Sequence, residues 1–183
     1  MVSRHIKPGG WIELQEMHYV PQSASSSPLP TNYPLLRFFQ LVVQGLAALG
    51  TDLEASVSEA ASLEQYGFIN VRHVTLQIPI GAWPEDKTLK TVGMYAHRGI
   101  EGGLQAMAYG PLCRGLGWSK ERVETFLEEV RGCLRNMEGM VEGGGVRASM
   151  PFHVWCGQKP VEPELSSNQD DDFTELGESM DLA

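Results

Sequence analysis

The stretch IKPGGWIELQE, residues 6–16, decides how the rest of the chain is read. Pro8 fixes its own φ and Gly9-Gly10 tolerate positive φ, so Lys7 to Gly10 reads as a turn and Trp11 to Glu16 as the strand leaving it. A turn needs something to turn away from, and here it comes almost at the first residue. The segments that follow have to show what sheet this strand could join.

Outward from the strand, HYVPQSASSSPLPTNYP is a Ser/Pro loop, and Pro34 stands where a helix takes its first-turn proline. Leu35, Leu36, Phe38, Phe39, Leu41, Val42, Val43 and Leu46 predict a helix apolar on most sides, ended by Gly50. Ser56 and Glu59 have capping-box spacing and Gly67 stands past the end, which predicts a second helix over about residues 57–66. Val74, Leu76, Ile78 and Ile80 then alternate with polar residues as a strand over about 70–80, closed by GAWP.

Residues 85–136 read as helical in at least two pieces. The first, about 86–109, is weakened by Gly93, Gly99, Gly102 and Gly103, and Pro111 with GLGW breaks the chain after it. Ser119 caps the next helix, whose Val123, Phe126, Leu127, Val130, Leu134 and Met137 form one apolar stripe. EGMVEGGGVRAS reads as a flexible loop, and MPFHVWCGQKP as a last strand with Phe152, Val154 and Cys156 on one face. Strands alternating with helices make this an α/β chain.

Composition bounds the function. With 183 residues and 42% hydrophobic content the chain can build one domain with a core, over residues 1–159, and no window is apolar enough for a membrane span. Ser3, Arg4, His5 and Lys7 come without an apolar run, so no secretory signal is read and the expected address is intracellular, cytoplasm or nucleus. Cys113, Cys133 and Cys156 have neither C-x-x-C spacing nor histidines at finger distance, so they are expected as reduced thiols, with no metal site.

The net charge of −9 is local. Glu162, Glu164, Asp170, Asp171, Asp172, Glu175, Glu178 and Asp181 lie together after Pro160, so the remainder is near neutral and lacks the clustered Lys and Arg of a nucleic-acid surface. Residues 160–183 carry too little apolar surface to offset their ordering entropy and are expected to be a disordered, solvated acidic tail, a reading weighed above a partner-binding role for Phe173 and Leu176.

Taken in order, IKPGGWIELQE, LEQYGFINVRHVTLQIPIGAWPEDKTLKTVG, LGWSKERVETFLEEVR and MPFHVWCGQKP resemble the C-terminal half of the fungal LaeA-like group of S-adenosylmethionine-dependent class I methyltransferases. The resemblance covers roughly residues 4–160. It implies a partial Rossmann-like sheet keeping about three strands of the class I order, 5, 7 and 6. Trp11 to Met17 would be strand 5, about 70–80 strand 6 and about 150–157 strand 7, with a helical insertion between the last two. Strands 1 to 4 would be missing, and with them the glycine turn and the acidic residue that hold the methyl donor. Gly143-Gly144-Gly145 follows a helix rather than a strand and does not replace that turn.

The expected cofactor is therefore S-adenosylmethionine by resemblance, with no cofactor-binding residue in this chain. Small-molecule methylation in secondary metabolism is the implied activity, the chain alone being inactive, and a non-catalytic interaction or regulatory module is the alternative. Substrate-facing candidates lie beyond strand 5, at Gln15, Glu16 and His18, and on a helical lid at Tyr95, His97, Met107 and Tyr109. For each, a strand cap or core packing is the competing reading. Trp83 and Trp118 are read as packing anchors, and His73 and His153 as facing solvent or satisfied neighbours. The Trp11 to Glu16 strand would lack a neighbour, which implies self-association, pairing with a separate N-terminal half, or cover from the loop over 18–34.

Overall fold

The computed structural model describes residues 5–60, 62–138 and 146–161. In chain order these form β1 (Trp11–Met17), β2 (Gln22–Ser23), α1 (Pro34–Ala48), α2 (Ala55–Ala60), β3 (Ile69–Ile80), α3 (Lys87–Ala108), a π-helical segment (Tyr109–Gly115), α4 (Lys120–Glu138) and β4 (Ala148–Gln158). The architecture is mixed α/β, a small antiparallel sheet with helices packed at one end of it.

β4 is the centre of the sheet. β1 pairs along one of its edges, from Trp11 opposite Gln158 to Met17 opposite Phe152, and β3 along the other, from Ile69 opposite Gln158 to Ile80 opposite Ala148. Both run antiparallel to β4, so β1 and β3 run parallel to each other. β2 takes up the same β4 edge as β1 further along, with Gln22 opposite Ser149. The Ser/Pro loop thus prolongs the β1 side instead of wrapping back over it. Among the described residues β1 has a strand neighbour on one side only.

The turn read from Lys7 to Gly10 closes as expected, with Gly9 at φ +77° and Gly10 N–H donating to Lys7 O at 2.9 Å. α1 begins at Pro34 and ends in the Gly50 turn (φ +86°), where the Gly50 N–H donates to Ala47 O. Asp86 caps α3 by accepting from Leu89 N–H at 2.8 Å, and Ser119 caps α4 by accepting from Arg122 N–H at 3.2 Å.

The main core joins α1, α3, the π-helical segment and α4 to the end of the sheet where β3 finishes and β4 starts. Leu35, Phe38, Leu104, Leu112, Leu127, Leu134 and Ile80 are fully buried there. A smaller cluster, Ala60, Leu63, Phe68 and Trp155 with Ile12, Leu14 and Val71 against it, covers one face of the sheet at its other end. The opposite face carries Trp11, Val74 and Leu76, all about half exposed, so half of that face is bare.

Three expectations are corrected. The second helix is shorter and earlier than 57–66: α2 is Ala55–Ala60, and residues 62–67 are turns that bring Leu63 and Phe68 onto Trp155. The side chains of Ser56 and Glu59 lie outside the described residues. Pro111 does not break the helical path, because the wider π-helical turn over Tyr109–Gly115 leaves room for a residue without an N–H. The final strand is longer than 150–157, starting at Ala148, because β2 and β3 flank that end. The glycine run at 143–145 and the tail from 162 lie outside the described residues.

Candidate functional site

Register assigns each strand residue to a face. Glu16 stands opposite His153, and His153 opposite Thr75 of β3, while Leu14, Trp155 and His73 share the next row. Directly paired residues point the same way, so Glu16, His73, Thr75, His153 and Trp155 occupy one face. His18, one turn of the alternation beyond Glu16, joins them where its N–H donates to Pro151 O at 2.9 Å.

These side chains are in contact. His73 Nε2 and His153 Nδ1 are 2.9 Å apart, a hydrogen bond whose donor is set by the tautomer. Thr75 Oγ1 lies 3.3 Å from His73 Nε2 and 3.2 Å from His153 Nδ1. Both rings stack on Trp155, His73 at 4.3 Å between centroids and His153 at 4.9 Å, and Trp155 is buried beneath them. The His18 ring is 6.4 Å from that of His153, and its Nε2 is 3.4 Å from Glu54 Oε1 in the loop before α2. Burial holds the His153 pKa below the ordinary histidine value, and the nearby His73 and His18 add to the depression. A neutral imidazole at the end of β1 beside a second one can accept a proton or ligate a cation.

A second network ties α3, the π-helical segment and α4 together. Glu124 Oε1 accepts from Tyr109 Oη–H and from Gln105 Nε2 at 2.8 Å, with Arg131 Nη1 3.8 Å from its other oxygen. The Tyr109 and Gln105 bonds, with the Arg131 charge, hold the Glu124 pKa below the ordinary range, and the same bond raises that of Tyr109. Trp83 Nε1 donates to Ala148 O at 3.1 Å, and Trp118 packs edge-on to Phe126 beneath Arg122, so both tryptophans are held by packing contacts. Shallow clefts of about 380 Å³, lined by Ser23, Ser25, Ser27 and Arg147, and about 470 Å³, lined by Tyr33, Cys133 and Met137, flank α1.

The sequence candidates are not brought into one pocket. Gln15 points to the face opposite Glu16 and His18, its Nε2 donating to Glu13 Oε1 at 2.6 Å, because neighbouring strand residues alternate. Tyr95 is 72% exposed while His97 is 2% exposed, with its Nε2 3.0 Å from Leu134 O in the α3–α4 interface. Residues two apart on a helix lie on nearly opposite sides, so they cannot line one surface. What sequence reasoning missed is the His73, Thr75, His153 and Glu54 grouping around His18. Alternation already placed His73 with Thr75; cross-strand register was the absent information. Among the described residues no group of three or more His, Cys, Asp and Glu side chains converges on a metal position. No helix among them is long and apolar enough to cross a membrane.

Comparison with known proteins bears on the strand that opens the chain. A probable methyltransferase, tdiE, of Emericella nidulans is 27% identical over 158 residues, 86% of this chain and 47% of its own. Methyltransferase pytC of Aspergillus terreus is 28% identical over 157 residues, 85% of this chain and 46% of its own. The secondary metabolism regulator LAE1 of Cochliobolus heterostrophus is 26% identical over 160 residues, 86% and 50% of the two chains. By sequence, the chain is a relative of the LaeA-like methyltransferases. It spans about half the length of the curated LaeA-like relatives it matches. No family model and no solved structure matches it.

Proposed function

We propose that this chain forms the sheet-edge portion of a class I methyltransferase domain of the LaeA-like group, methylating a small-molecule acceptor of secondary metabolism inside the cell. Its methyl-donor pocket is then supplied by residues outside these 183. The observation that carries the reading is the strand arrangement: one antiparallel strand, β4, between two mutually parallel ones, with the lid helices inserted between β3 and β4. Strands 5, 7 and 6 of a class I sheet have that order. Alignment of most of this chain with about half of each relative, and the bare half of the Val74 and Leu76 face, support the same division.

Among the described residues, no strand-to-helix turn is open to S-adenosylmethionine. The turn from β3 into α3 is filled: Gly81 N–H donates to Gly93 O at 3.0 Å, and the Trp83 ring packs beside Gly81. No backbone there is free to approach a nucleotide, and β1 leads to β2 and the Ser/Pro loop rather than to a helix. The outer edge of β1, Trp11 to Glu16, is the junction at which a separate half or a second copy would add.

Calorimetric titration of the 183-residue chain with S-adenosylmethionine tests the division, with no heat of binding expected. Micromolar affinity would show a donor pocket within the chain and overturn it. Hydrogen exchange of the amides of residues 11–16 in dilute monomer tests the junction. Outward-facing amides should exchange fast; protection independent of concentration contradicts an open edge. Regulation without catalysis is the second reading, favoured by the relatives named as regulators of secondary metabolism. It predicts that no added half restores donor affinity.

A further inference from the structure

We propose that His73, His153 and Thr75 form an open binding site for a divalent transition-metal ion, with Cu²⁺ held most tightly. This inference does not depend on the methyltransferase reading. Two imidazole nitrogens and a hydroxyl oxygen stand at the corners of a triangle with sides of 2.9, 3.2 and 3.3 Å. An ion about 2.1 Å from each corner would sit roughly 1 Å above that triangle, on its solvent side. All three donors belong to neighbouring strands on one sheet face, so the scaffold and not a loop sets their spacing.

Ligands about 2.1 Å from a metal lie roughly 3.0 Å apart at a right angle and roughly 3.4 Å apart at a tetrahedral one. The three separations, 2.9, 3.2 and 3.3 Å, span those two values, so the geometry admits either arrangement and the general order of divalent-ion affinities, with Cu²⁺ highest, decides. Imidazole suits these ions, and water fills the remaining positions. With only two histidines and a hydroxyl the site is open and exchangeable, consistent with the lack of any larger converging group among the described residues.

The neighbourhood favours a cation. When both nitrogens ligate, the donor ring tautomerises, its proton moving from the shared position to its other ring nitrogen, which leaves both facing lone pairs to the ion. Trp155 below the rings restricts their other motions. The groups facing the pair are His18 and Glu16 from the β1 side, Thr75 from β3, and Glu54, which holds His18, from the loop before α2. The Glu16 and Glu54 carboxylates on this side favour a bound dication.

The test is frozen-solution electron paramagnetic resonance of the tag-free chain with equimolar Cu²⁺ at neutral pH. Coupling to two imidazole nitrogens is expected, and His73→Gln and His153→Gln should each remove one nitrogen and weaken binding by about tenfold or more. His5→Gln, distant in sequence and exposed, should change nothing. Should either variant fold poorly, the unsubstituted chain still decides the matter by nuclear magnetic resonance. Substoichiometric Ni²⁺ should then broaden the ring protons of His73 and His153 before those of His5 and His97. No Cu²⁺ signal with two nitrogens, a signal surviving either substitution intact, or earlier broadening at His5 overturns the site.

Discussion

Four glycines in α3 look alike to a propensity scale, and the structure assigns them opposite fates. Gly99 and Gly102 are exposed, and a β-carbon added to either would meet nothing within 4 Å, so alanine there gains the ordinary helix preference of about 1 kcal/mol. Gly93 is buried where α3 crosses the end of β3. A β-carbon on it would collide with Gly81 O and stand 3.1 Å from the Gly81 carbonyl carbon and 3.3 Å from Pro79 Cβ. Backbone cannot swing aside as a side chain can. Separation of α3 from the turn would also stretch the 3.0 Å bond from Gly81 N–H to Gly93 O. Overpacking costs about 1–3 kcal/mol and a weakened hydrogen bond about 1 kcal/mol, against the roughly 1 kcal/mol gained from propensity. A net loss of about 2 kcal/mol follows. For a chain of this size that lowers Tm by about 4–8 °C, whereas Gly99→Ala should raise it by about 2–4 °C. Thermal unfolding followed by circular dichroism reads both. Equal stabilisation by Gly93→Ala and Gly99→Ala would refute the close docking of α3 on the β3 turn.

Tyr109→Phe removes the largest cause of the low Glu124 pKa, so the carboxyl midpoint, followed by carbon-detected titration, should rise toward the ordinary glutamate value while Gln105 keeps part of the depression. Because the folded pKa is depressed, what this carboxylate contributes to stability is present above the unfolded value and is lost as pH falls through the folded one. His153 should titrate below the ordinary histidine value of 6.5, and His73→Gln should move its midpoint upward without fully restoring it, since burial is the larger cause. Its neutral form is the one the fold prefers, so stability declines as pH drops below the unfolded histidine value, which acid titration of the unfolding midpoint checks. Trp83→Phe leaves the Ala148 carbonyl without its 3.1 Å donor and should cost about 1–2 kcal/mol in denaturant unfolding.

Periodicity and punctuation carried the element order. Pro34, Gly50, Ser119 and the alternation from Val74 to Ile80 each act through the few residues beside them, so α1, α4 and β3 were legible. What failed was set by distant contacts. The turns at 62–67 replace the end of the predicted helix because Leu63 and Phe68 gain more by covering Trp155 than by continuing a helix. Helical passage through Pro111 depends on α1: Gly45 and Gly115 lie against each other, and a β-carbon on Gly45 would stand 2.6 Å from the Pro111 carbonyl carbon. At the site the sequence pointed to the correct strand end but not to the partners. Gln15 and Glu16 are separated by one position and therefore by the whole sheet, and His18 meets Glu54 and His153 only through folding.

The two sheet faces separate two kinds of property. On one, α2 and its turns cover Trp155 and leave the His73 and His153 rings against each other, every donor supplied by β3 and β4. On the other, the core formed by α1, α3 and α4 covers Ile80 and Met150 but stops before Val74, Leu76 and Trp11. An antiparallel sheet can leave one face to water; under the proposed division, the bare half of this face and the free edge of β1 are where a further half would pack. Chain added there would bury Val74 and Leu76 and would leave the histidine face unchanged. On that division, packing of a further half and occupation of the histidine site are physically separable events.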